Sequence, residues 1–333
     1  MDVILHVGAH RTGTTTFQRA MTKHAPGLKA QGMEFWGPDR TRRGMFAGLI
    51  RRQEGLTDET RRLGDRSCGR IRIEVERLAH AGREALLVSD ENMLGAMPHM
   101  LSRTALYPDA GARLARFAPG FAERCTTVLL SVRDYRSWWP SVLAFAMGQG
   151  QAMPDAGAMD RLVRQPRRWR HVVQEIAMAF PAARVSVAAF EGFAHRPGAR
   201  LALAMDRPLP AGLVTSGGWH NRSPDMTALR HALAQRPGAA PPGAQTATAT
   251  QARPAPWRPF TPAQLTEMGA QYQDDLHWLR HGADGLARFH EAPAPNRPTP
   301  AGWPPGPPIR MTGPEEGYRN DGQEEGVGYA GQG

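Results

Sequence analysis

Four short apolar runs recur along the chain, with polar and helix-like sequence between them. They span residues 3–7, 85–89, 126–132 and 184–189. Each run is nearly continuous and rich in β-branched residues or Leu, rather than alternating between apolar and polar positions. Such runs are typical of parallel strands that are buried on both faces of a sheet. The pattern therefore predicts four parallel strands.

Helical sequence separates these strands, at residues 14–24, about 58–80, 137–147 and 169–180. Strands that alternate with helices predict a three-layer αβα fold around a central parallel sheet, with right-handed crossovers. Ligands of such sheets bind beyond the carboxyl ends of the strands. We therefore expect the functional residues in the segments that directly follow the strands.

Composition divides the chain into four segments. Residues 1–234 contain the predicted strands and should form an α/β core. Residues 235–256 are rich in Ala, Pro, Gly and Thr, which predicts a linker or insertion. Residues 257–290 predict a helical segment that docks on the core. Residues 291–333 contain nine Pro and nine Gly and almost no large aliphatic side chains, which predicts a disordered tail.

One helix is clearly indicated in the C-terminal segment, at residues 261–279. Thr261 is a suitable N-cap, and Pro262 fits the first helical position. The apolar residues of this helix recur at helical spacing and predict one buried face, made of Leu265, Met268, Tyr272, Leu276 and Leu279.

Net charge narrows the class of ligand. The 333-residue chain has a formal net charge of +10; residues 291–333 contribute −3, so residues 1–290 carry +13. The positive charge of residues 1–290 favours a polyanionic ligand such as a phosphorylated nucleotide. Cys68 and Cys125 have neither metal-binding nor disulfide spacing. No apolar stretch reaches the roughly 18 residues of a membrane span, and the N-terminus is unlike a signal peptide, so we expect a cytoplasmic protein.

The segment after the first apolar run is typical of a phosphate-binding loop. Residues 8–13 follow the spacing G-x-x-x-x-G and lead directly into a predicted helix. Such a loop turns its backbone N–H groups inward, and the helix N-terminus adds a partial positive charge. Thr14 replaces the lysine that usually follows the second glycine, and Arg11 is the only fixed cation within the loop.

A second anion site is predicted after the third apolar run. Arg133 follows that strand, and Ser141 lies eight residues further on, about one turn into the next helix. An arginine fork and a hydroxyl that approach from a strand end and a helix would bind a phosphate. Together with the loop, this site favours a ligand that has two separate phosphate groups.

The ordered pair of motifs resembles that of bacterial P-loop-fold sulfotransferases, which use 3′-phosphoadenosine 5′-phosphosulfate (PAPS) and release 3′,5′-ADP. The resemblance covers roughly residues 2–280 and extends to residues 86–93 and 272–279. It implies that the loop binds the 5′-phosphosulfate, that Arg133 and Ser141 bind the 3′-phosphate, and that a further segment closes over the nucleotide. The cofactor-binding residues implied are His10, Arg11, Thr12, Gly13, Thr14, Thr15, Arg133, Ser141, Asn221 and Arg222.

Two catalytic residues follow from the same resemblance. Arg11 occupies the place of a family lysine that stabilises charge on the leaving phosphate, and arginine can hold that charge but cannot donate a proton. Glu91 is the expected base, because it directly follows a buried strand and desolvation there would raise its pKa. His10 and His99 are weaker candidates for the base. No metal is expected.

Two other functions fit part of the pattern. Residues 86–90 could form the strand of a P-loop kinase or NTPase, with Asp90 on Mg²⁺, although the loop lysine is missing. A non-catalytic nucleotide binder would keep both anion sites. The sequence lacks the alternation of aromatic and basic residues that is typical of nucleic-acid-binding surfaces, so no nucleic-acid partner is expected. We expect a hydroxyl or amine acceptor, a small molecule or carbohydrate, whose pocket is formed by residues 34–77 or 148–170.

Overall fold

Six parallel strands form the sheet in the part of the chain that the structure describes. This computed structural model describes residues 1–214 and 257–291. The strands are β1 (Asp2–Gly8), β2 (Met33–Trp36), β3 (Ala85–Ser89), β4 (Cys125–Val132), β5 (Arg184–Ala189) and β6 (Ala287–His290). Their order is β2-β3-β1-β4-β5-β6, and every neighbouring pair is parallel. The expected α/β fold with a parallel central sheet is confirmed.

Helices connect these strands. They are α1 (Thr14–Lys23), α2 (Ala25–Ala30), α3 (Pro38–Arg40), α4 (Asp58–His80), α5 (Met97–Ser102), α6 (Ala110–Phe121), α7 (Tyr135–Gly148), α8 (Ala156–Arg164), α9 (Trp169–Ala179), α10 (Phe190–Phe193), α11 (Pro197–Met205) and α12 (Pro262–Arg280). Single turns of other helix types span Thr41–Met45, Gln53–Gly55, Glu91–Met93 and Ala283–Gly285. None of the described helices is long and apolar enough to cross a membrane.

Both faces of the sheet are covered. Val3 and Leu5 of β1 belong to a core cluster that includes side chains of α4, α6, α7 and α9. Ile4 belongs to a separate cluster, with Phe17 of α1 and Leu201 of α11. Because successive side chains of a strand point to opposite faces, the two clusters lie on opposite sides of the sheet. This arrangement is consistent with three layers.

The four strands predicted from the apolar runs agree with the structure to within one residue at each end. The predicted C-terminal helix is α12, where Thr261 and Gln264 cap each other's backbone N–H groups. Its predicted inner face lies in or against the core. The predicted linker at residues 235–256 lies outside the described residues, and so does the predicted tail at 291–333 except for its first residue.

The strand order has a reversal point between β1 and β4. β1 and β4 are neighbours, yet the chain leaves β1 towards one edge of the sheet and β4 towards the other. Ligands of open α/β sheets bind outside such a reversal point. Gly8 ends β1 and Arg133 follows β4, so the two predicted anion sites lie at this reversal point. Glu91 follows β3, the neighbour of β1 on its other side.

Candidate functional site

The loop after β1 is closed by its own side chains. Gly8 has φ +102° and Gly13 has φ +76°, which are left-handed conformations that glycine adopts most easily. The hydroxyls of Thr12 and Thr14 donate hydrogen bonds of 2.6 and 2.8 Å to the carbonyl oxygen of Ala9. Both threonine hydroxyls therefore stabilise the loop itself, whereas the sequence predicts that these residues bind the cofactor.

His10 is buried and fully engaged. Its backbone N–H donates to the hydroxyl of Tyr107, and its two ring nitrogens lie 2.9 Å from that hydroxyl and 3.3 Å from Oδ1 of Asn92. Its carbonyl oxygen accepts from the indole of Trp138. Burial lowers the pKa of His10 despite the nearby charge of Glu91. A neutral His10 with no spare ring nitrogen fixes the loop rather than acting as a base.

Three of the predicted site residues converge at the mouth of the loop. Nε of Arg11 donates to Oγ of Ser141 at 2.9 Å, and Nη1 of Arg133 donates to the carbonyl oxygen of Arg11 at 2.7 Å. The sequence predicts that Ser141 and Arg133 act as a pair, but Ser141 pairs with Arg11. Nε of Arg133 donates instead to Ser137 at 2.9 Å. The segments after β1 and β4, where the sequence predicts two anion sites, are therefore in direct contact.

This contact region concentrates positive charge. The Arg11 guanidinium lies 5.2 Å from the ring centre of Phe145, and that of Arg133 lies 4.4 Å from the ring centre of Phe190. Burial and the charge of Arg133 lower the pKa of Arg11 to about 10, so both remain cations at neutral pH. Neither forms an ion pair with an acidic side chain of residues 1–214 or 257–291. The charges of Glu191 and Asp134 are close enough to raise the pKa of Arg133, although burial lowers it overall. Two neighbouring cations without a direct ion pair favour a bound anion.

Asp90 is buried and all its interactions are internal. Its side chain is 0% exposed and accepts a forked pair of bonds from Arg42, at 2.9 and 3.2 Å. The hydroxyl of Thr41 and the backbone N–H of Asn92 also donate to it. With four donors on its two oxygens, Asp90 holds the turn after β3 against the segment that contains Arg42.

Glu91 has a different protonation behaviour from the one that the sequence predicts. Its oxygens accept from Gln18 at 2.9 Å and from Arg42 at 3.1 Å. Burial alone would raise its pKa, but the charge of Arg42 and the bond from Gln18 outweigh burial and lower the pKa to about 2. The expectation of a raised pKa is therefore wrong. Glu91 is an anion at neutral pH, packed directly against Gly8.

Two arginines of this site have no signal in the sequence. Arg42 reaches the β3 turn from the irregular Thr41–Met45 turn, which follows the edge strand β2. Arg200 of α11 is 1% exposed and donates to the carbonyl oxygens of Thr12 and Gly13. Both are distant from the loop in sequence and belong to no motif, so only the folded chain reveals them.

The remaining predicted residues are not part of this cluster. His99 lies in α5, where its ring bonds to Asp109 at 2.8 Å. With Glu54, these residues place one possible metal ligand each within 4.8 Å of one another, but Glu54 also has Arg103 at 3.6 Å. Thr15 is half-buried in the first turn of α1. Asn221 and Arg222 lie outside the described residues.

An open cavity of about 450 Å³ lies beside the turn that contains Arg42. Its walls come from the Thr41–Met45 turn and from α4, within the segment 34–77 in which the sequence places an acceptor pocket. It is lined in part by Arg40, Arg43, Met45, Arg70, Ile73 and Glu74. The lining also includes the acids Asp39 and Glu74, and Glu74 pairs with Arg40 at 2.8 Å, so basic, acidic and apolar side chains share this surface.

No protein-family model matches the chain. No curated protein and no solved structure matches it either.

Proposed function

We propose that this protein is a sulfotransferase that moves a sulfuryl group from PAPS to a hydroxyl or amine of an acceptor. One observation is the main support: the 2.7 Å bond between Arg133 and the carbonyl oxygen of Arg11. It joins the two anion-binding elements, which the sequence separates by more than a hundred residues. A single ligand with two phosphate groups can therefore contact both.

The loop is suited to the phosphosulfate end. The first N–H groups of α1 have no partner within the helix, and the helix dipole favours an anion there. Arg11 lies within the loop and is oriented by Ser141. In the proposed reaction the sulfuryl group leaves the 5′-phosphate oxygen and bonds to the acceptor oxygen or nitrogen. Arg11 stabilises the charge that develops on that phosphate.

Arg133 is suited to the 3′-phosphate. Its guanidinium is held by Ser137 and by the Arg11 carbonyl, which leaves further N–H donors for a ligand. Its contact with the Phe190 ring fixes its plane. An arginine that is fixed in this way selects a phosphate with little loss of side-chain entropy.

Glu91 is suited to accept the proton of the acceptor only after a change in its surroundings. While Arg42 contacts it, its low pKa makes it a weak base. If Arg42 turns away, burial dominates and the pKa of Glu91 rises. We assign the adjacent cavity to the acceptor, because the turn that lines it also contains Arg42.

A kinase or NTPase is the less favoured alternative. Its Mg²⁺ would be bound through Asp90, the acid that directly follows β3. Asp90 already accepts four hydrogen bonds and is fully buried, so a metal would have to displace Arg42 and Thr41. The loop also lacks the lysine that contacts the β- and γ-phosphates.

Nucleotide preference tests this proposal. In thermal-shift assays 3′,5′-ADP should stabilise the protein without Mg²⁺, and ATP with Mg²⁺ should not. The reverse preference would favour the kinase. Labelled sulfate from PAPS should then reach a member of an acceptor panel with release of 3′,5′-ADP. Binding without any such release would indicate a non-catalytic nucleotide binder.

The Arg133→Ala variant tests the assignment of the two ends. It should weaken 3′,5′-ADP binding about tenfold more than adenosine 5′-phosphosulfate binding, because only the former has a 3′-phosphate. Some loss for both ligands is expected, since Arg133 also bonds to the loop. The control is Arg136→Ala, which removes a half-exposed arginine paired with Asp134. Equal losses for the two ligands would contradict the 3′-phosphate assignment.

A further inference from the structure

Arg200 is a buried arginine that contacts the loop from behind. It extends from α11, is 1% exposed, and donates to the carbonyl oxygens of Thr12 at 3.0 Å, Gly13 at 3.4 Å and Phe193 at 3.4 Å. Its Nε is buried and has no hydrogen-bond partner. All the hydrogen bonds of this guanidinium are therefore to neutral acceptors.

The charge of Arg200 has no counter-ion in the described ranges, 1–214 and 257–291. No carboxylate there forms an ion pair with it, and burial alone lowers its pKa to about 10. The nearby His6 is neutral, because burial and the charge of Arg200 lower its pKa to about 3. The other close neighbour is the ring of Phe17. A buried charge without a partner is costly, so an anion that balances this charge is expected.

The position of Arg200 indicates where that anion binds. In a trans peptide unit the C=O and N–H groups point in opposite directions. Because the carbonyls of Thr12 and Gly13 point at Arg200, the N–H groups of Gly13 and Thr14 point away from it, to the opposite side of the loop. A methyl group on Gly13 would lie 3.4 Å from Nη2 of Arg200, so the two are closely packed.

We propose that Arg200 is a second cation of the loop, which positions the Gly13 and Thr14 N–H groups and is balanced by a phosphate-type anion bound on their far side. Its charge acts through one layer of backbone rather than through water, so it is only weakly screened. Arg200 is a positioning residue and does not contact the ligand. This inference does not depend on which nucleotide the protein uses.

Inorganic pyrophosphate tests this role, by calorimetric titration of the full chain without divalent metal. The Arg200→Met variant should bind pyrophosphate at least about tenfold more weakly than the wild-type protein. The matched control is Arg113→Met. Arg113 is 3% exposed and also bonds to three backbone carbonyls, those of Ile50, Arg51 and Asn92, which lie outside the loop. The control should bind within about twofold of wild type.

Unchanged pyrophosphate affinity in Arg200→Met would overturn the proposal, as would an equal loss in Arg113→Met or a wild-type protein that does not bind pyrophosphate. If Arg200→Met does not fold, NMR of the wild-type protein tests the proposal instead. The signal to follow is the Nε–H resonance of Arg200, which is assigned as the resonance that is absent from Arg200→Lys. It must shift when the wild-type protein is saturated with pyrophosphate. Failure of the sulfotransferase proposal would appear separately, as a lack of preference for 3′,5′-ADP or of sulfate transfer.

Discussion

The Glu91 carboxylate has the most constrained environment of the proposed catalytic groups. It is packed against Gly8 and bonded to Gln18 and Arg42. Glu91→Gln keeps the shape and removes the proton acceptor. We expect turnover to fall at least a hundredfold, as for a lost general base, while 3′,5′-ADP affinity stays near wild type.

The matched control for this variant is Glu175→Gln. Glu175 is also a part-buried carboxylate that is paired with an arginine, Arg167 at 2.8 Å, but it belongs to α9 and accepts from the N–H of Gly111 in α6. Its substitution should leave turnover near the wild-type level. Turnover that survives in Glu91→Gln would place the base on another residue.

The lowered pKa of Glu91 also predicts how stability depends on pH. Its pKa is about 2 in the folded protein and 4.5 ordinarily, so between these values the unfolded chain binds a proton that the folded chain does not. The free energy of unfolding therefore rises with pH in this window. Glu91 contributes at most about 3 kcal/mol, fully present above pH 4.5 and lost as the pH falls through about 2.

Urea denaturation of the wild-type protein and Glu91→Gln from pH 2 to pH 7 measures this contribution. The variant should be less stable at pH 7, and the difference should shrink towards zero at pH 2. A difference that is independent of pH would show that the carboxylate is not an ionised group of the folded state.

The sequence predicted the individual residues of the loop better than their partners. Arg11, Arg133 and Ser141 follow predicted strands or lie in the adjoining helix, so their proximity follows from a parallel sheet. Which side chain bonds which could not be predicted, because pairing depends on rotamers at the mouth of the loop. The low pKa of Glu91 was missed for a related reason. Its cause is Arg42, which precedes it by 49 residues and lies in an irregular turn.

At the scale of elements, the loop and the β3 turn are in direct contact, which predicts an effect of Gly8→Ala. At φ +102°, the added Cβ would lie 2.8 Å from Cβ and 3.3 Å from Cα of Glu91. The backbone of the β3 turn must shift, so the variant should lose both stability and pyrophosphate affinity. Gly82→Ala is the control, because its φ is +74° but no atom lies within 4 Å of the new Cβ.

Chemical denaturation separates strain from steric overlap in these two variants. Gly82→Ala should cost about 1–2 kcal/mol, the cost of a left-handed alanine alone. Gly8→Ala should cost clearly more. Equal losses would mean that the β3 turn can move away from the loop without penalty.

Elements were predictable where burial on two faces made the sequence nearly continuous in apolar residues. The central strands β1, β3, β4 and β5 are of this kind. The edge strands β2 and β6 have only four residues each and are half-buried or exposed at several positions, so no run marks them. Helix α6 was missed because it contains Gly111, Pro119 and Gly120, which are poor helix formers.

At the scale of the whole molecule, the strand order decides which chemistry is possible. Alternating strands and helices predict a parallel sheet but not its order. The loop and Arg133 meet only because β1 and β4 are neighbours, and Glu91 reaches the same edge because β3 adjoins β1 on the other side. The order depends on which helices pack on which face. That is a tertiary property which no single segment encodes.

The buried acid Asp275 of α12 connects the C-terminal segment to Arg133 through hydrogen bonds. It is 0% exposed and accepts from the hydroxyl of Tyr135 at 2.7 Å, from Nε of Arg170 at 2.8 Å and from the N–H of Trp169 at 3.2 Å. The indole of Trp169 in turn donates to the carbonyl oxygen of Arg133 at 2.9 Å. The network therefore connects α12, α7 and α9 to the proposed 3′-phosphate site.

Asp275→Asn places an NH₂ group among donors and leaves Arg170 without its buried partner. It should destabilise the protein by about 3 kcal/mol, as for a broken buried ion pair. Asp274→Asn is the control: Asp274 is the adjacent residue, 54% exposed, and pairs with Arg168 and Arg170 at the surface. That change should cost no more than about 1 kcal/mol.

Urea denaturation and 3′,5′-ADP titration of both variants test the link between this network and the site. Asp275→Asn should also weaken the binding of 3′,5′-ADP. If the two variants are equally stable, the buried network does not hold α12 to the core; if only stability falls, it does not support Arg133.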